Sequence, residues 1–185
     1  MDNLERLFRE YHGPIVRYLT RRLGDRDLAE ELAQETFVRA LRHEPVARER
    51  AWLFAVATNL VRDEARRDAR ERKRLALLTH EAAAAGPHEP EAWSGDQLAD
   101  QLREQALARR AVDALAERDR MALLMREEGL DYHEIAAALG LSVGSVGTTL
   151  SRARRRLVEV YETLQRGPAS VRHGARAAME GSDVA

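Results

Sequence analysis

Residues 141–157, LSVGSVGTTLSRARRRL, combine a run of short side chains with a cluster of arginines. In the first part, two glycines and several hydroxyl groups let the backbone N–H groups approach phosphates or the edges of bases. The second part carries Arg152, Arg154, Arg155 and Arg156. On one helix, the two parts together would suit duplex DNA. The alternative is an arginine-rich helix end that only complements the helix dipole and stays in solvent.

The residues just before and within this segment have the spacing of a helix-turn-helix unit. Five apolar side chains can form a small core between two short helices: Ile135, Leu139, Leu141, Val146 and Leu150. Ala136 is small enough to let the helices cross closely, and Gly140 can adopt the left-handed turn between them. Ser142 is placed to cap the second helix. We therefore predict a DNA-binding helix-turn-helix.

A second charged pattern lies in the first half of the chain. Arg62, Arg66, Arg67 and Arg70 follow one another at spacings of three and four residues, so on a helix they form a stripe that can track a phosphate backbone. The interleaved acids Asp63, Glu64 and Asp68 offer ion pairs within the helix as the alternative. Residues 25–35 are strongly acidic, although the net charge of the chain is only −1. Such segregation predicts separate surfaces for differently charged partners.

Hydrophobic periodicity and turn residues predict helices throughout the chain. The expected ranges are 4–23, with a kink or break at Gly13-Pro14, and 26–42, 48–73, 97–114, 117–128, 131–138 and 142–164. Trp52 is expected in the core, whereas Phe54 is equally suited to the core or to stacking on a base. Residues 80–96 are rich in Ala, Gly and Pro, which is typical of a linker, and the tail after Gly167 is expected to be disordered.

Several classes of protein are disfavoured by the sequence. The chain has no cysteine, its first residues do not resemble a signal peptide, and it has no apolar run of the ~20 residues that span a bilayer. A cytoplasmic protein without membrane insertion is therefore expected. His133-Glu134 begins like a zinc-protease motif, but Ala137 stands where the second histidine must be. We predict no catalytic residue, no cofactor, no metal site and no enzymatic activity.

These motifs resemble a known family. Residues 115–157 are similar to region 4 of the extracytoplasmic-function (ECF) sigma factors of the sigma-70 family, 27–41 to region 2.2, and 50–74 to regions 2.3 and 2.4. The resemblance implies an all-α fold of two small helical domains joined by a flexible linker. Residues 1–78 would form the region 2 helical bundle, 79–96 the linker, 97–164 the region 4 helix-turn-helix domain and 165–185 a disordered tail.

The resemblance also implies a function. The protein would be a bacterial transcription initiation factor that binds core RNA polymerase, through the β′ clamp helices and the β flap, and directs it to promoter DNA. An anti-sigma factor would mask both domains. The polymerase-binding residues would be Asp27, Glu30, Glu31, Gln34 and Glu35, although a solvated acidic face is the simpler alternative for each of them.

The resemblance assigns DNA contacts to both domains. At the −10 element it implies Asn59, whose amide can donate to and accept from a flipped base, together with Arg62, Arg66, Arg67 and Arg70. For Asn59 the alternative is an asparagine on a helix surface that only binds water. The recognition helix would contact the −35 element through Ser142, Val143, Ser145, Thr148, Thr149, Ser151, Arg152, Arg154 and Arg155.

Two departures from the family pattern concern the second domain. Leu115-Ala116 replaces the usual Leu-Pro, and Gly147 and Thr149 replace the usual Lys and Arg, so weaker or different −35 contacts are expected.

Two other functions remain alternatives. A helix-turn-helix regulator would bind DNA without replacing the sigma subunit, and a protein-interaction module would have no salt-dependent affinity for DNA.

Overall fold

The computed structural model describes residues 3–43, 46–78 and 97–166, and these residues form an all-α structure, as predicted. The helices are α1 (Asn3–Leu23), α2 (Arg26–Leu41), α3 (Glu49–Leu78), α4 (Gln97–Asp113), α5 (Glu117–Glu127), α6 (Tyr132–Leu139) and α7 (Val143–Arg166). The predicted linker between the two domains and the predicted disordered tail lie outside the described residues, apart from the ends of the helices that flank them. None of the described helices has the length and the apolar character needed to cross a membrane.

The first three helices pack around a common apolar core. Ile15 and Leu19 of α1 are fully buried, as is Leu53 of α3. The buried hydroxyls of Tyr18 and Thr58 lie 2.9 Å apart, and this hydrogen bond joins α1 to α3 inside the core. A buried polar group costs free energy unless it is paired, so this bond favours one packing of α1 on α3.

The packing of this core answers two questions that the sequence left open. Pro14 lies inside α1, which continues through it, so the predicted alternative of a break was wrong. Pro14 has no N–H donor for the helix. Leu7 and Ile15, on either side of it, are buried and anchor the helix in the core. Phe54 is fully buried and lies 5.3 Å from the ring of Tyr18, so it belongs to the core and cannot stack on a base. Trp52 is partly buried against the same core, as expected.

The chain divides into two compact units, and each unit is formed by two separate stretches of the sequence. One unit contains the described residues up to 78 and Met121–Leu150, and the other contains those of 97–120 and 151–166. In the first unit α3 packs against α6, so the turn between α5 and α6 is assembled with the first three helices. The division into domains at 1–78 and 97–164 stays a prediction from the resemblance.

Candidate nucleic-acid interface

The helix-turn-helix geometry is present and is fixed by local signals. The Asp131 side chain accepts a hydrogen bond from the Glu134 N–H, and the Glu134 side chain accepts one from the Asp131 N–H; both bonds are 2.8 Å long. The two bonds cap the start of α6, and the one that the Asp131 carboxylate accepts from the Glu134 N–H holds the pKa of Asp131 below its usual value. Gly140 ends α6 with a φ of 64°, the left-handed conformation predicted for the turn. Ile135, Val146 and Leu150 are fully buried, which confirms the predicted core.

Most of the predicted recognition residues at the start of α7 are accessible. Ser142, Val143, Thr148 and Ser151 are exposed, and Ser145 is half-buried. The carbonyl oxygen of Ser142 accepts hydrogen bonds from both the N–H and the hydroxyl of Ser145, at 3.0 and 2.7 Å. The short side chains predicted to approach DNA therefore share an open, ordered helix start.

Thr149 is an exception among these residues. Its exposed fraction is 6%, and it lies on the same side of α7 as the buried Val146 and Ala153. The spacings from Val146 to Thr149 and from Thr149 to Ala153 are three and four residues, the repeat that keeps side chains on one helix face. We therefore withdraw Thr149 as a DNA contact, and we note that the same repeat was visible in the sequence.

Arg152 is also occupied within the protein. Its guanidinium donates two hydrogen bonds, of 2.8 and 2.5 Å, to the carboxylate of Asp119 in the first turn of α5. The Asp119 side chain is only 8% exposed, whereas that of Arg152 is 53% exposed. The paired guanidinium lowers the pKa of Asp119 below its usual value, and the carboxylate raises that of Arg152. A phosphate would have to compete with this bidentate pair for Arg152.

The remaining arginines of α7 face solvent. Arg154 and Arg155 are exposed, and the Arg155 guanidinium lies 4.0 Å from the carboxylate of Glu159. Arg156, which was not assigned to DNA, lies closer to Glu159, at 3.3 Å. Exposed pairs of this kind contribute little to stability and exchange readily with other anions. Arg154 and Arg155 are therefore available to a phosphate backbone.

The predicted −10 residues lie along α3, where the helix leaves the core. Asn59 is exposed, and its side-chain oxygen accepts a long hydrogen bond of 3.4 Å from Arg62. Arg62 is half-buried, with its guanidinium 4.0 Å from the sulfur of Met121. Arg66 pairs with Asp63 at 3.2 Å and Arg67 with Glu64 at 3.3 Å, the ion pairs that the sequence offered as an alternative.

Residues 65–75 of α3 are all exposed. Arg70 lies in this part. An anion could therefore approach the end of the arginine stripe directly, whereas at Arg66 and Arg67 it would first have to displace a carboxylate of the same helix.

The predicted polymerase-binding residues lie along α2, beside this stripe. The carboxylate of Asp25 begins α2 by accepting hydrogen bonds from the N–H groups of Asp27 and Leu28. Asp27, Glu31 and Gln34 are exposed, whereas Glu30 lies 3.4 Å from His12, and Glu35 lies 3.0 Å from Arg39.

A groove of about 510 Å³ runs between α2 and α3. Glu31, Gln34 and Glu35 line one wall, and Asp63, Glu64 and Arg67 line the other. The structure thus brings residues predicted to bind polymerase and a residue predicted to bind DNA to one groove, which the sequence alone did not indicate.

Asp119 and Glu128 are two buried acids that the sequence analysis did not single out. Glu128 directly follows the last residue of α5, where a negative charge opposes the helix dipole. An acid in that position gains stability from a cationic partner, but the sequence does not say whether it is buried or solvated. Asp119 lies in a first helical turn, a favourable place for an acid, so nothing local indicated its pairing with Arg152.

Comparison with known proteins gives matches to both halves of the chain. Residues 7–71 match the family model for sigma-70 region 2, and residues 105–157 match the model for sigma-70, region 4. The RNA polymerase sigma factor YlaC of Bacillus subtilis is 31% identical over 164 residues, covering 84% of this chain and 90% of that protein. The ECF RNA polymerase sigma factor SigL of Mycobacterium tuberculosis is 33% identical over 160 residues, covering 82% of this chain and 84% of that protein.

A solved structure shares the fold. The sigma factor RpoE of Bartonella quintana, crystallised in complex with the anti-sigma factor NepR, superposes with a TM-score of 0.64. It is 23% identical in sequence, and the match covers 88% of this chain and 98% of that one.

Proposed function

Because this chain belongs to the sigma-70 family, as an RNA polymerase sigma factor of the ECF type, we propose that its two matched family regions divide promoter recognition between them. Its function is that of the family: it binds core RNA polymerase and directs it to specific promoters. In our proposal residues 1–78 recognise and open the −10 element, and residues 97–164 hold the −35 element. The observation that carries this division is the presence of an exposed polar helix face in each of the two matched regions.

At the −10 element, Asn59 receives a base of the unwound strand. Its amide is exposed beside the guanidinium of Arg62, so a base bound by the amide would lie next to a positive charge that can hold the adjoining phosphate. Arg66, Arg67 and Arg70 then follow the backbone, with Arg66 and Arg67 released from their carboxylate partners as phosphates replace them.

At the −35 element, the first turns of α7 enter the major groove. Val143 can contact a thymine methyl group, and Thr148 and Ser151 can hydrogen-bond to base edges or phosphates. Arg154 and Arg155 contact the backbone beyond them. Arg152 instead positions α7 through its pair with Asp119. The phosphate contacts of Arg154 and Arg155 set the register of the helix on DNA but carry no sequence information.

The acidic face of α2 is the surface that we assign to the polymerase. Asp27, Glu31 and Gln34 are exposed on it, and the β′ clamp helices are the expected partner, with the β flap as the partner of the second domain. The anti-sigma factor named with the Bartonella relative suggests a partner of the same class here. We place the protein in the cytoplasm, where polymerase and promoter lie, and we assign the chemistry of initiation to the polymerase.

The test of this division is Asn59→Ala. We expect promoter opening, measured by permanganate reactivity of unpaired thymines, to fall by about tenfold or more, while the affinity for core polymerase stays within about twofold. This expectation follows from the loss of one hydrogen-bonded base contact, worth about 1–3 kcal/mol. Gln101→Ala on α4, which removes another exposed amide, is the matched control and should change neither quantity. An equal loss of opening and of polymerase binding would show that Asn59 serves the polymerase contact instead.

A further inference from the structure

Glu128, directly after α5, accepts hydrogen bonds from two arginines of another helix. Its side chain is 3% exposed. One carboxylate oxygen lies 2.9 Å from Arg17, and the other lies 2.8 Å from Arg21. The two arginines are one turn apart on α1, so both of their guanidinium groups reach the same carboxylate. A carboxylate this deeply buried is stable only when it is paired, and these two arginines supply the pairing.

A third arginine binds the backbone of the same turn. Arg50, at the start of α3, donates hydrogen bonds to the carbonyl oxygens of Glu128 and Gly129, and it lies 3.7 Å from the carboxylate of Glu134 on α6. The carbonyls at a helix C-terminus carry the negative end of the helix dipole, so a guanidinium there is favourable. Arg50 therefore binds this end of α5 through its exposed backbone, while α1 binds the side chain.

The turn itself is shaped for this contact. Gly129 has a φ of 83°, and a Cβ added to it would lie 3.4 Å from a guanidinium nitrogen of Arg50. A larger residue would thus meet both backbone strain and the arginine. The three arginines, the Glu128 carboxylate and the Gly129 turn lie within one compact unit, and we call them the Glu128 latch.

The Glu128 latch joins the two regions matched by the family. Arg17, Arg21 and Arg50 belong to the region 2 match at residues 7–71, and Glu128 and Gly129 belong to the region 4 match at residues 105–157. While these bonds hold, Asn59 and the start of α7 lie in the same compact unit. A compact unit of about 100 residues has a radius of gyration of about 13 Å.

A promoter requires a much larger separation. The −10 and −35 elements are about 25 base pairs apart, which is roughly 85 Å of duplex at 3.4 Å per base pair. Asn59 and the start of α7 cannot reach both elements while the Glu128 latch is intact. We propose that Arg17, Arg21 and Arg50 are a docking surface for the acidic C-terminal end of α5, and that this docking closes the free protein and must be released before both promoter elements are bound.

The required release rests on the proposed division of promoter contacts. The closure of the free protein can be tested on the protein alone. Because the chain has no cysteine, Arg26→Cys on α2 and Ala137→Cys on α6, both exposed, give two unique sites for a fluorescent donor and acceptor. Single-molecule energy transfer in the full-length protein then separates a closed, high-transfer state from an open, low-transfer state.

In this background we would compare Glu128→Gln with Glu127→Gln, which removes an exposed carboxylate one residue away. We expect Glu128→Gln to raise the ratio of open to closed molecules about tenfold or more, because residues that share a buried ion pair are strongly coupled. Glu127→Gln should leave this ratio unchanged. The double change Arg17→Gln/Arg21→Gln should open the protein as well. Since both arginine side chains are about half exposed, it removes the pairing without altering the apolar core. Circular dichroism would verify that each variant is folded.

Two results would overturn the proposal. One is a transfer distribution for folded Glu128→Gln or Arg17→Gln/Arg21→Gln that matches the unaltered protein. The other is a transcribing complex of core polymerase and promoter that keeps the high-transfer state. If the Glu128 and arginine variants open but no variant supports promoter-selective transcription, the Glu128 latch stands as a closure of the free protein and the proposed function fails instead.

Discussion

At the scale of single residues, arginines that look equivalent in the sequence differ in what they can bind. Arg152 and Arg154 are two positions apart on α7, yet Arg152 is held by the buried carboxylate of Asp119 while Arg154 faces solvent. The resemblance implies −35 contacts for Arg152, Arg154 and Arg155 alike, because charge and helical spacing do not reveal a partner more than thirty positions away. The resemblance also implies a DNA contact for Thr149, although its spacing from Val146 indicates a buried face.

The Asp119–Arg152 pair gives a prediction about stability. Asp119→Asn should lower the free energy of unfolding at pH 7 by about 1–3 kcal/mol, because a nearly buried, charge-assisted pair is lost. Urea denaturation measures this difference, and Glu104→Gln, an exposed acid on α4, should stay within about 0.5 kcal/mol of the unaltered protein.

The same pair predicts the pH dependence of that difference. The pKa of Asp119 is lowered in the folded protein, so its contribution is complete above the unfolded value of about 4 and is lost as pH falls through the folded value. The gap between Asp119→Asn and the unaltered protein should therefore close on acidification below about pH 4. A gap that widened with acid would show that Asp119 is not stabilised as the carboxylate.

At the scale of helices, periodicity and turn residues predicted the seven helices of the described residues and most of their ends. Gly140 between α6 and α7 and the end of the apolar face of α3 at Val61 were both visible in the sequence. The predicted helix bounds differ from the observed ones mostly by one or two residues, and by five at the end of α3. That last difference arises because turns rich in Arg and Glu favour helix without any apolar contact to mark where the helix stops.

The glycines of the helix-turn-helix give a prediction at this scale. Gly147→Ala should raise the free energy of unfolding by about 0.5–1 kcal/mol, since alanine favours helix and the added Cβ would meet Tyr132 at 3.5 Å, an ordinary contact. Gly140→Ala should lower it by about 1–2 kcal/mol, because its φ of 64° is unfavourable for an L side chain.

Thermal unfolding of the two glycine variants side by side measures both signs. The expected rise for Gly147→Ala is about 2–4 °C per kcal/mol for a chain of this size. A loss of stability on Gly147→Ala would mean that the ring of Tyr132 cannot accommodate even one methyl group.

At the scale of the whole molecule, the sequence could not predict how the two matched regions meet. Family resemblance identified the regions, and hydrophobic patterns identified their separate cores. The bonds from Arg17, Arg21 and Arg50 to the end of α5 connect residues about 80 to 110 positions apart. No periodic pattern encodes such a pairing, and the sequence does not distinguish the buried Glu128 from the exposed Glu127 beside it.

Reconstituted transcription tests most directly whether this protein acts as a sigma factor. Purified full-length protein would be mixed with bacterial core RNA polymerase, the complex isolated by size exclusion, and the DNA fragments that it transcribes selected from a random library. We predict co-elution with the core enzyme and enrichment of fragments that share two elements spaced as −10 and −35. Binding to duplex DNA without binding to core polymerase would contradict a sigma function and would favour a helix-turn-helix regulator that does not replace the sigma subunit.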